Sequence, residues 1–338
     1  MSGELEQMKT ADNVMMAAQL AAALEVSATP KPGNVHREAD YPTTRFEQFL
    51  SGSIALGPAM RSAAQQGGRA ASGAVEYSQI RIGRWTRKAV IAVNASHSGG
   101  NTHLGICMLF TPLAAAAGAL LERGVEIEAE RLRNEAVKII ESTTSEDAAE
   151  IHLAVASLDA QWLGHVGSGE VPDLASEEGL EQILKKDITL HKLMTASAEW
   201  DGISAELAHG LPASFTIGYP MFSETYWETG DVNVATVNAY LKILSKVPDT
   251  FVARKVGLAE TKTHDIIEAV EKGLPESLRI SKEAEKILEA YSGMKTEEGR
   301  LEVRMLDHEL RRLGRNPGTT ADITAASLLI AILCGFRP

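Results

Sequence analysis

The chain has 338 residues, of which 44% are hydrophobic and 23% are charged, as expected for a globular protein with a sizeable core. Its formal net charge of −12 argues against a general nucleic-acid binder and against a protein that adheres to anionic membranes. The longest apolar runs, 112–121 and 323–336, are too short to span a bilayer, and the two cysteines show no metal-binding spacing. These features predict a cytoplasmic protein without nucleic-acid or membrane partners.

The spacing of apolar residues predicts a succession of helices and no strand, and therefore an all-α fold. Residues 1–10 are expected to form a flexible tail, and residues 11–338 a single helical domain with a lid or insertion near 160–185. Asp12 is predicted to cap the first helix, and Thr44 with Glu47 to form a capping box for the second. In chain order the predicted helices cover about 12–27, 44–67, 75–95, 103–122, 127–142, 146–158, 187–200, 203–210, 232–246, 257–272, 276–291, 296–313 and 321–335.

The loop at 30–37 interrupts the helical pattern and carries candidate ligand-binding residues. Two prolines restrict its backbone, and the glycine between them and the histidine allows close approach to a ligand. Such a loop holds cationic side chains in place at low entropic cost, which suits a polyanion; a proline-rich connector between helices is the alternative. The candidate binding residues are Lys31, Pro32, Gly33, Asn34, His36 and Arg37.

Two further glycine-containing loops, 97–103 and 316–322, each lead into an apolar helix. Free backbone N–H groups at such helix starts attract phosphate or carboxylate groups, and the glycines let an anion come close. Each loop alone is also typical of ordinary helix capping. The candidates are Gly100, Asn101, Thr102 and His103 in the first loop, and Gly318, Thr319, Thr320 and Asp322 in the second.

Acidic and cationic side chains in these loops favour a phosphorylated ligand that carries magnesium. Asp322 lies beside a predicted helix start, where a Mg²⁺ ligand is expected because Mg²⁺ bridges phosphate oxygens and one or two carboxylates. A fourth loop, 249–257, combines Asp249 with Arg254, whose guanidinium suits bidentate phosphate contact. Helix capping by Asp322 and a solvated Asp249–Arg254 pair are the simpler interpretations. The chain lacks G-x-x-x-x-G-K-[ST], which excludes a P-loop nucleotide site.

Five motifs in order along the chain resemble those of the triphosphoribosyl-dephospho-CoA synthase family, from about Ala21 to Leu333. Members of that all-helical family transfer a triphosphoribosyl group from ATP to the ribose hydroxyl of dephospho-CoA and release adenine. The resemblance therefore implies a pentosyltransferase of coenzyme biosynthesis that uses ATP or a related phosphoribosyl donor and a small-molecule coenzyme acceptor. The motifs are 30–37, 101–105, 218–220, Asp249-Thr250 with Arg254 and Gly257, and 316–322.

The resemblance also implies roles for individual residues. Lys31, His36, Arg254 and the helix start at 101–103 would hold phosphates. Asp249 and Asp322 would hold Mg²⁺ or stabilise positive charge on the sugar, and His103 could instead serve as a proton donor.

The chain departs from the usual family pattern in three places. Leu104 stands where a lysine is usual, the segment 201–206 lacks the usual arginine, and the last motif begins with Asn316 instead of serine. Two cations are thus missing where a second phosphorylated substrate would bind, which leaves open whether the acceptor is dephospho-CoA or another coenzyme precursor.

Other functions and assemblies compatible with the sequence are a Mg²⁺-dependent hydrolase of nucleotide N-glycosidic bonds and a non-catalytic nucleotide-binding helical protein. A metal site built from His97 and His103 is a further alternative, although a histidine near a helix start is more often a cap or a surface residue. Alanine-rich helix faces also suit a homodimer.

Overall fold

The computed structural model describes residues 10–41, 43–158, 172, 176–261 and 263–338, and these residues are organised as α-helices. The all-α fold predicted from the sequence is therefore confirmed. The helices are α1 (Ala11–Ser27), α2 (Phe46–Ala55), α3 (Gly57–Ala71), α4 (Ile82–Ser96), α5 (Leu104–Glu122), α6 (Ala129–Glu141), α7 (Ser145–Ala156), α8 (Glu177–Lys185), α9 (Leu190–Ser197), α10 (Gly202–Ala208), α11 (Tyr219–Thr229), α12 (Val232–Lys246), α13 (Thr250–Thr261), α14 (Ile266–Tyr291), α15 (Glu297–Arg312) and α16 (Gly318–Leu333).

Helix α5 lies at the centre of the larger hydrophobic core. It is apolar on all sides, and α1, α3, α4, α6 and α16 pack around it. Gly67 of α3 and Gly118 of α5 face the backbone of the opposite helix so closely that any side chain there would collide with it. The two helices therefore pack with their backbones in contact, which small residues alone permit.

Helix α5 is also long and apolar enough, by length and composition, to cross a membrane. This finding differs from the sequence-based expectation, because the helix extends beyond the short apolar run at 112–121. In the structure 83% of its most apolar window is buried against other parts of the chain. The neighbouring helices therefore explain its composition, since a helix apolar all round is also typical of the centre of a large core.

A second core lies between α12, α13, α14 and α15, and includes the fully buried residues Tyr240, Val303 and Leu310. Helices α13 and α14 pack tightly because Gly257 and Gly273 leave room for backbone carbonyls of the facing helix. Helices α12 and α16 contribute residues to both cores. The N-terminal end of α16 is consequently fixed between the two cores.

Two predicted helix caps are wrong. The Thr10 hydroxyl accepts the hydrogen bond that caps α1, and Asp12 instead forms an exposed ion pair with Arg61. The predicted second helix is two helices, α2 and α3. Arg45 rather than Thr44 precedes α2, and the Gln48 side chain accepts a hydrogen bond from the Arg45 N–H.

Some predicted boundaries also change. The predicted helices 257–272 and 276–291 are replaced by α13, which ends at Thr261, and by α14, which begins at Ile266 and continues through Pro275. Helix α11 is absent from the predicted elements. Residues 1–9 of the predicted tail, and residues 160–171 and 173–175 of the predicted lid, lie outside the described residues. Within the range predicted for the lid, Glu177–Lys185 forms α8.

Candidate active site

The N-terminal ends of α5, α10, α13 and α16 meet around one cavity of about 420 Å³. The Thr250 hydroxyl, at the start of α13, accepts a hydrogen bond from the Gly202 N–H of α10 at 3.0 Å and lies 3.4 Å from the Thr319 hydroxyl of α16. Gly105, at the start of α5, leaves space for the Asp322 carboxylate of α16. Because helix N-termini carry partial positive charge, their convergence favours an anionic ligand. The lining residues are Tyr41, Thr43, Thr44, Gly100, Asn101, Thr102, Leu104, Gly105, Met108, Asp201, Ile203, Phe251, Arg254, Lys255, Asn316, Gly318, Thr319 and Asp322.

Arg254 and Lys255 provide cationic groups in the cavity wall. Their charged ends lie 5.3 Å and 4.9 Å from the centre of the Phe251 ring, as in cation–π pairs. Burial lowers the pKa of Arg254, and partial burial together with the neighbouring Arg254 charge lowers the pKa of Lys255. A bound anion would therefore stabilise the charged forms of both side chains.

Asp201 and Asp322 are the two carboxylates in the cavity lining. Asp201 caps α10 by accepting the Ser204 N–H at 2.8 Å and lies 4.0 Å from the Arg254 guanidinium. The Asp322 carboxylate accepts the Ile106 N–H in the first turn of α5. Burial raises the pKa of Asp322 well above its usual value, and the charges of three nearby acids, one of them Asp201, raise it further. A proton or a cation at Asp322 is therefore strongly favoured.

Asp249 lies behind the cavity wall, not in the cavity lining. One carboxylate oxygen accepts the Val252 N–H of α13 at 2.9 Å, and the other accepts the N–H and the hydroxyl of Thr320 at 2.7 and 2.8 Å. Both oxygens are thus used to join the starts of α13 and α16. The structure gives Asp249 and Thr320 positioning roles, which differ from the direct metal and phosphate contacts predicted for them.

Lys31 is fully buried beside the cavity, where it pairs with Glu25 of α1. Its ammonium also donates to the Glu25 backbone carbonyl at 3.0 Å. Burial lowers the pKa of Lys31 and raises that of Glu25, while their mutual attraction opposes both shifts. Asp322 and Lys31 attract each other electrostatically. Lys31 therefore acts on the cavity through its charge, and the structure does not expose it for the phosphate contact predicted from the sequence.

His36 and Gly33 are held by Asp307 of α15. The Gly33 N–H donates to Asp307 at 2.9 Å, and His36 Nε2 lies 3.3 Å from the other carboxylate oxygen. His36 Nδ1 lies 3.0 Å from the Thr29 hydroxyl. Both ring nitrogens of the buried His36 thus have partners inside the protein, and His36 fixes the loop instead of reaching the cavity as predicted.

The other predicted binding residues of the 30–37 loop also lie outside the cavity lining. The Pro32 carbonyl accepts the Tyr240 hydroxyl at 2.8 Å, and the Asn34 amide donates to Asn316, a cavity-lining residue, at 2.9 Å. Arg37 is exposed and lies outside the cavity lining. The loop therefore supports the cavity wall from behind, and its residues are not among those that line the cavity.

Of the residues predicted at 100–103, three line the cavity. Gly100, Asn101 and Thr102 are in its wall, and Asn101 caps α5 by accepting the Leu104 N–H at 3.1 Å. His103 is 1% exposed and packs against Phe49 outside the lining. Burial lowers the pKa of His103 to about 3, and the charges of His97 and Lys31 contribute. The imidazole is therefore neutral near pH 7 and lies outside the cavity lining, whereas the sequence predicts a phosphate contact or a proton donor there.

Gly318 and Thr319 of the last motif, which are predicted to bind substrate, line the cavity. Gly318 lies against the face of Phe251, and the Thr319 methyl group fills the space beside Gly202. Together with Arg254 and Asp322, these residues connect two of the sequence motifs within one cavity, and Asn101 and Thr102 add a third.

Among the lining residues that the sequence did not single out as site residues are Tyr41, Asp201, Lys255 and Asn316. Asp201 follows the N-cap pattern and precedes Gly202, which is a helix-start signal that could have been used. Asn316 begins the last motif, whereas Tyr41 and Lys255 carry no sequence signal of their own. The Tyr41 hydroxyl lies 2.6 Å from the Gly33 carbonyl, and burial raises the pKa of Tyr41 to about 12.

The donor set of the cavity fits a magnesium ion that arrives bound to a polyphosphate. Within the described part of the chain, no group of three or more His, Cys, Asp or Glu side chains could hold a metal alone. Mg²⁺ commonly takes one or two protein carboxylates and completes its shell with phosphate oxygens and water. Asp201 and Asp322 could supply those carboxylates. A bound cation would stabilise the ionised form of Asp322, which burial and the nearby acids disfavour.

The fold and the cavity together define a helical protein whose site suits a phosphorylated ligand. A family model described as ATP:dephospho-CoA triphosphoribosyl transferase matches residues 11–337 of the chain. The chain therefore belongs to this family, and the predicted family and transferase class are confirmed.

Individual relatives agree with the family match. The chain is 24% identical to the 2-(5''-triphosphoribosyl)-3'-dephosphocoenzyme-A synthase of Klebsiella pneumoniae, over 95% of this chain and 91% of that protein. It is 21% identical to a protein of Streptococcus mutans described as a probable synthase of the same name, over 70% and 74% of the two chains. A crystal structure of a proposed triphosphoribosyl-dephospho-CoA synthase from Archaeoglobus fulgidus has the same fold. Its TM-score is 0.57 at 23% identity, and the alignment covers 85% of this chain and all of that one.

Proposed function

We propose that the protein transfers the triphosphoribosyl group of ATP to the ribose hydroxyl of dephospho-CoA and releases adenine. The observation that carries this proposal is the cavity in which four helix N-termini meet Arg254, Lys255 and two carboxylates. Such a site suits a nucleoside triphosphate. Its phosphates bind cationic and N–H groups, and its sugar and base bind a more apolar surface.

The cavity lining carries two kinds of group. Arg254 and Lys255 of α13 lie near Asp201, and these charged residues suit the triphosphate. Leu104 and Met108 of α5 also line the cavity and offer apolar contact for the base. The C–N bond of ATP would then be held between the charged and the apolar residues.

Asp201 and Asp322 would hold Mg²⁺ together with the triphosphate, and the metal would supply positive charge to the phosphate oxygens. When the bond between the ribose carbon and adenine breaks, positive charge develops on the ribose. A carboxylate in a desolvated wall stabilises such charge more strongly than it would in water, because water does not screen it. The acceptor hydroxyl forms the new bond to the ribose carbon and gives up a proton, and the departing adenine takes up a proton.

Leu104 concerns the acceptor. It lines the cavity at a position where the family usually has lysine, so the cavity offers one cation fewer to its phosphorylated substrates. Dephospho-CoA lacks the 3'-phosphate of CoA and therefore carries less negative charge. We therefore expect dephospho-CoA to be preferred over CoA.

The test is incubation of the protein with ATP, Mg²⁺ and dephospho-CoA, followed by mass spectrometry of adenine and of the triphosphoribosyl adduct. The Asp322→Asn variant should lose about a hundredfold or more in rate, because it removes a charge that acts on the reacting sugar. Asp12→Asn, at an exposed ion pair, is the matched control and should keep the wild-type rate. Adenine release without an adduct, or full activity of Asp322→Asn, would contradict the proposal.

A further inference from the structure

The hydroxyl of Thr102 lines the cavity and lies between two histidine rings. His97 Nε2 is 3.0 Å from Thr102 Oγ1, and His103 Nδ1 is 2.7 Å from the same oxygen. A threonine hydroxyl has one proton to donate and can accept two hydrogen bonds. The protonation of the two rings therefore decides where the Thr102 proton points.

The proton on His97 can be assigned from its other ring nitrogen. His97 Nδ1 accepts a hydrogen bond from the Gly99 N–H at 3.2 Å and so carries no proton. Neutral His97 must then carry its proton on Nε2, and this N–H donates to Thr102 Oγ1.

The burial of His103 indicates which of its ring nitrogens carries the proton. It is 1% exposed, and its Nε2 has no hydrogen-bond partner in the described part of the chain. If the proton were on Nε2, an N–H donor would be buried without an acceptor, which is rare in proteins. With the proton on Nδ1, Nε2 is an unpaired acceptor and Nδ1–H donates to Thr102 Oγ1. The Phe49 ring, 5.5 Å away, and the absence of a side chain at Gly52 hold the imidazole in this position.

We propose that His97 and His103 both donate to Thr102 Oγ1, so that the Thr102 proton is directed into the cavity as a donor to a phosphate oxygen of the bound nucleoside triphosphate. Thr102 is then a substrate-binding residue, and the two histidines are positioning residues. The identity of the ligand rests on the proposed function, whereas the orientation of the hydroxyl does not. Because burial lowers the pKa of His103 to about 3, the ring stays neutral near pH 7 and keeps a single proton.

The orientation is tested by two-bond ¹⁵N–¹H correlation spectra of the ligand-free protein labelled with ¹⁵N-histidine. The chain has nine histidines, and the His97→Gln and His103→Asn variants assign the two signals. We expect His97 to be protonated on Nε2 and His103 on Nδ1. A His103 ring protonated on Nε2 would overturn the inference.

The contact with the ligand is tested by matched variants. An asparagine amide places its NH₂ near the position of Nδ1, and a glutamine amide places its NH₂ near that of Nε2. His97→Gln and His103→Asn should therefore keep the donor to Thr102, while His97→Asn and His103→Gln should lose it. Thr102→Ser keeps the hydroxyl, and Thr102→Val removes it at nearly constant shape.

Binding of Mg²⁺–ATP without acceptor, measured by isothermal titration calorimetry, provides the comparison. The Kd should rise about tenfold or more in Thr102→Val, His97→Asn and His103→Gln, as expected for a lost hydrogen bond to a charged group. It should rise less than about threefold in the three variants that keep the donors. Circular dichroism confirms that all variants are folded.

Equal ATP affinity of Thr102→Val and Thr102→Ser would overturn the inference. A wild-type protein that binds ATP but forms no adduct would instead contradict the proposed transfer reaction. The tautomer spectra and the binding comparison would still decide the role of Thr102 in that case.

Discussion

At the scale of single residues, the cavity depends on charges buried beside it as much as on those that line it. Lys31 and Glu25 form a buried pair next to Asp322, and Asp307 holds the 30–37 loop through Gly33 and His36. Each of these groups has its partner inside the protein, so it would act on a bound ligand through position and charge. Their energetic contributions can be separated from direct binding by measuring stability and activity in the same variants.

For the Lys31–Glu25 pair we expect strong coupling in stability. Lys31→Met alone should lower the free energy of unfolding by about 3–5 kcal/mol, because it leaves a buried carboxylate without its partner. The double variant Lys31→Met/Glu25→Leu should recover most of this loss, since an apolar pair avoids the desolvation of both charges. Urea unfolding of the wild type, both single variants and the double variant measures the coupling.

Activity should not recover with stability in that double variant. If Lys31 stabilises the ionised form of Asp322, the double variant regains its fold but releases adenine slowly. If the double variant loses as much stability as the two single variants together, the pair is not coupled.

For Asp307 we expect a pH-dependent contribution to stability. Burial raises the pKa of Asp307, but the hydrogen bond from His36, the Arg311 charge and the Gly33 N–H outweigh it and place the pKa below its ordinary value of 3.8. A depressed carboxyl pKa stabilises the folded state above the unfolded pKa, and this contribution is lost as the pH falls through the folded pKa. Asp307→Asn should therefore cost about 1–3 kcal/mol at pH 7 and less below about pH 3.8.

Unfolding of Asp307→Asn and wild type across pH 2.5–8 measures this difference. The exposed Asp12→Asn variant serves as the control and should change stability by less than about 1 kcal/mol throughout. If the difference in stability between Asp307→Asn and wild type stays constant across this range, the charged Asp307 does not stabilise the folded state as proposed.

At the scale of elements, the site is built by the relative placement of helix starts. Asp249 joins α13 to α16, and Thr250 joins α13 to α10 and α16. Tight packing at Gly67 and Gly118 fixes α5 against α3, and packing at Gly257 and Gly273 fixes α13 against α14. The N-terminal ends of these helices therefore face the cavity with little freedom to separate.

Asp249→Asn tests this connection between helices. The variant keeps a single carbonyl oxygen, so it cannot accept hydrogen bonds from both α13 and α16. We expect a loss of about 1–3 kcal/mol in stability and weaker ATP binding, because Gly318 and Thr319 would lose their support.

Asp231→Asn is the matched control for this variant. Asp231 caps α12 alone, through the N–H groups of Asn233 and Val234, and asparagine caps helices about as well as aspartate. Equal stability and equal ATP affinity of the two variants would show that the Asp249 link does not position the site.

At the scale of the whole molecule, the sequence predicts the fold class and seven of the eighteen residues that line the cavity. Apolar spacing reveals most helices because a buried face repeats along the chain, and Gly100, Gly318 and Thr319 are found because glycine-rich helix starts are visible in one segment. Tyr41 and Lys255 are not found, since their place in the cavity depends on which loops meet after folding.

Three residues that are predicted to contact the ligand do not line the cavity, for a different physical reason. Lys31, His36 and Asp249 are charged or polar, and such side chains are expected to face solvent or a ligand. Each is instead satisfied by a partner inside the protein, namely Glu25, Asp307 or Thr320. Those partners lie on other helices, and neither the pairing nor the burial can be read from one segment.

The central claim is that the helix starts of α5, α10, α13 and α16 form the binding site for a triphosphate. A crystal structure of the protein with Mg²⁺–ATP tests it most directly. We predict triphosphate density between Arg254, Lys255, Thr102 and the N-terminal turn of α16, with the adenine against the apolar side chains of Leu104 and Met108. Triphosphate density elsewhere, such as in the groove between α14 and α15 near Lys286 and Arg312, would contradict the account.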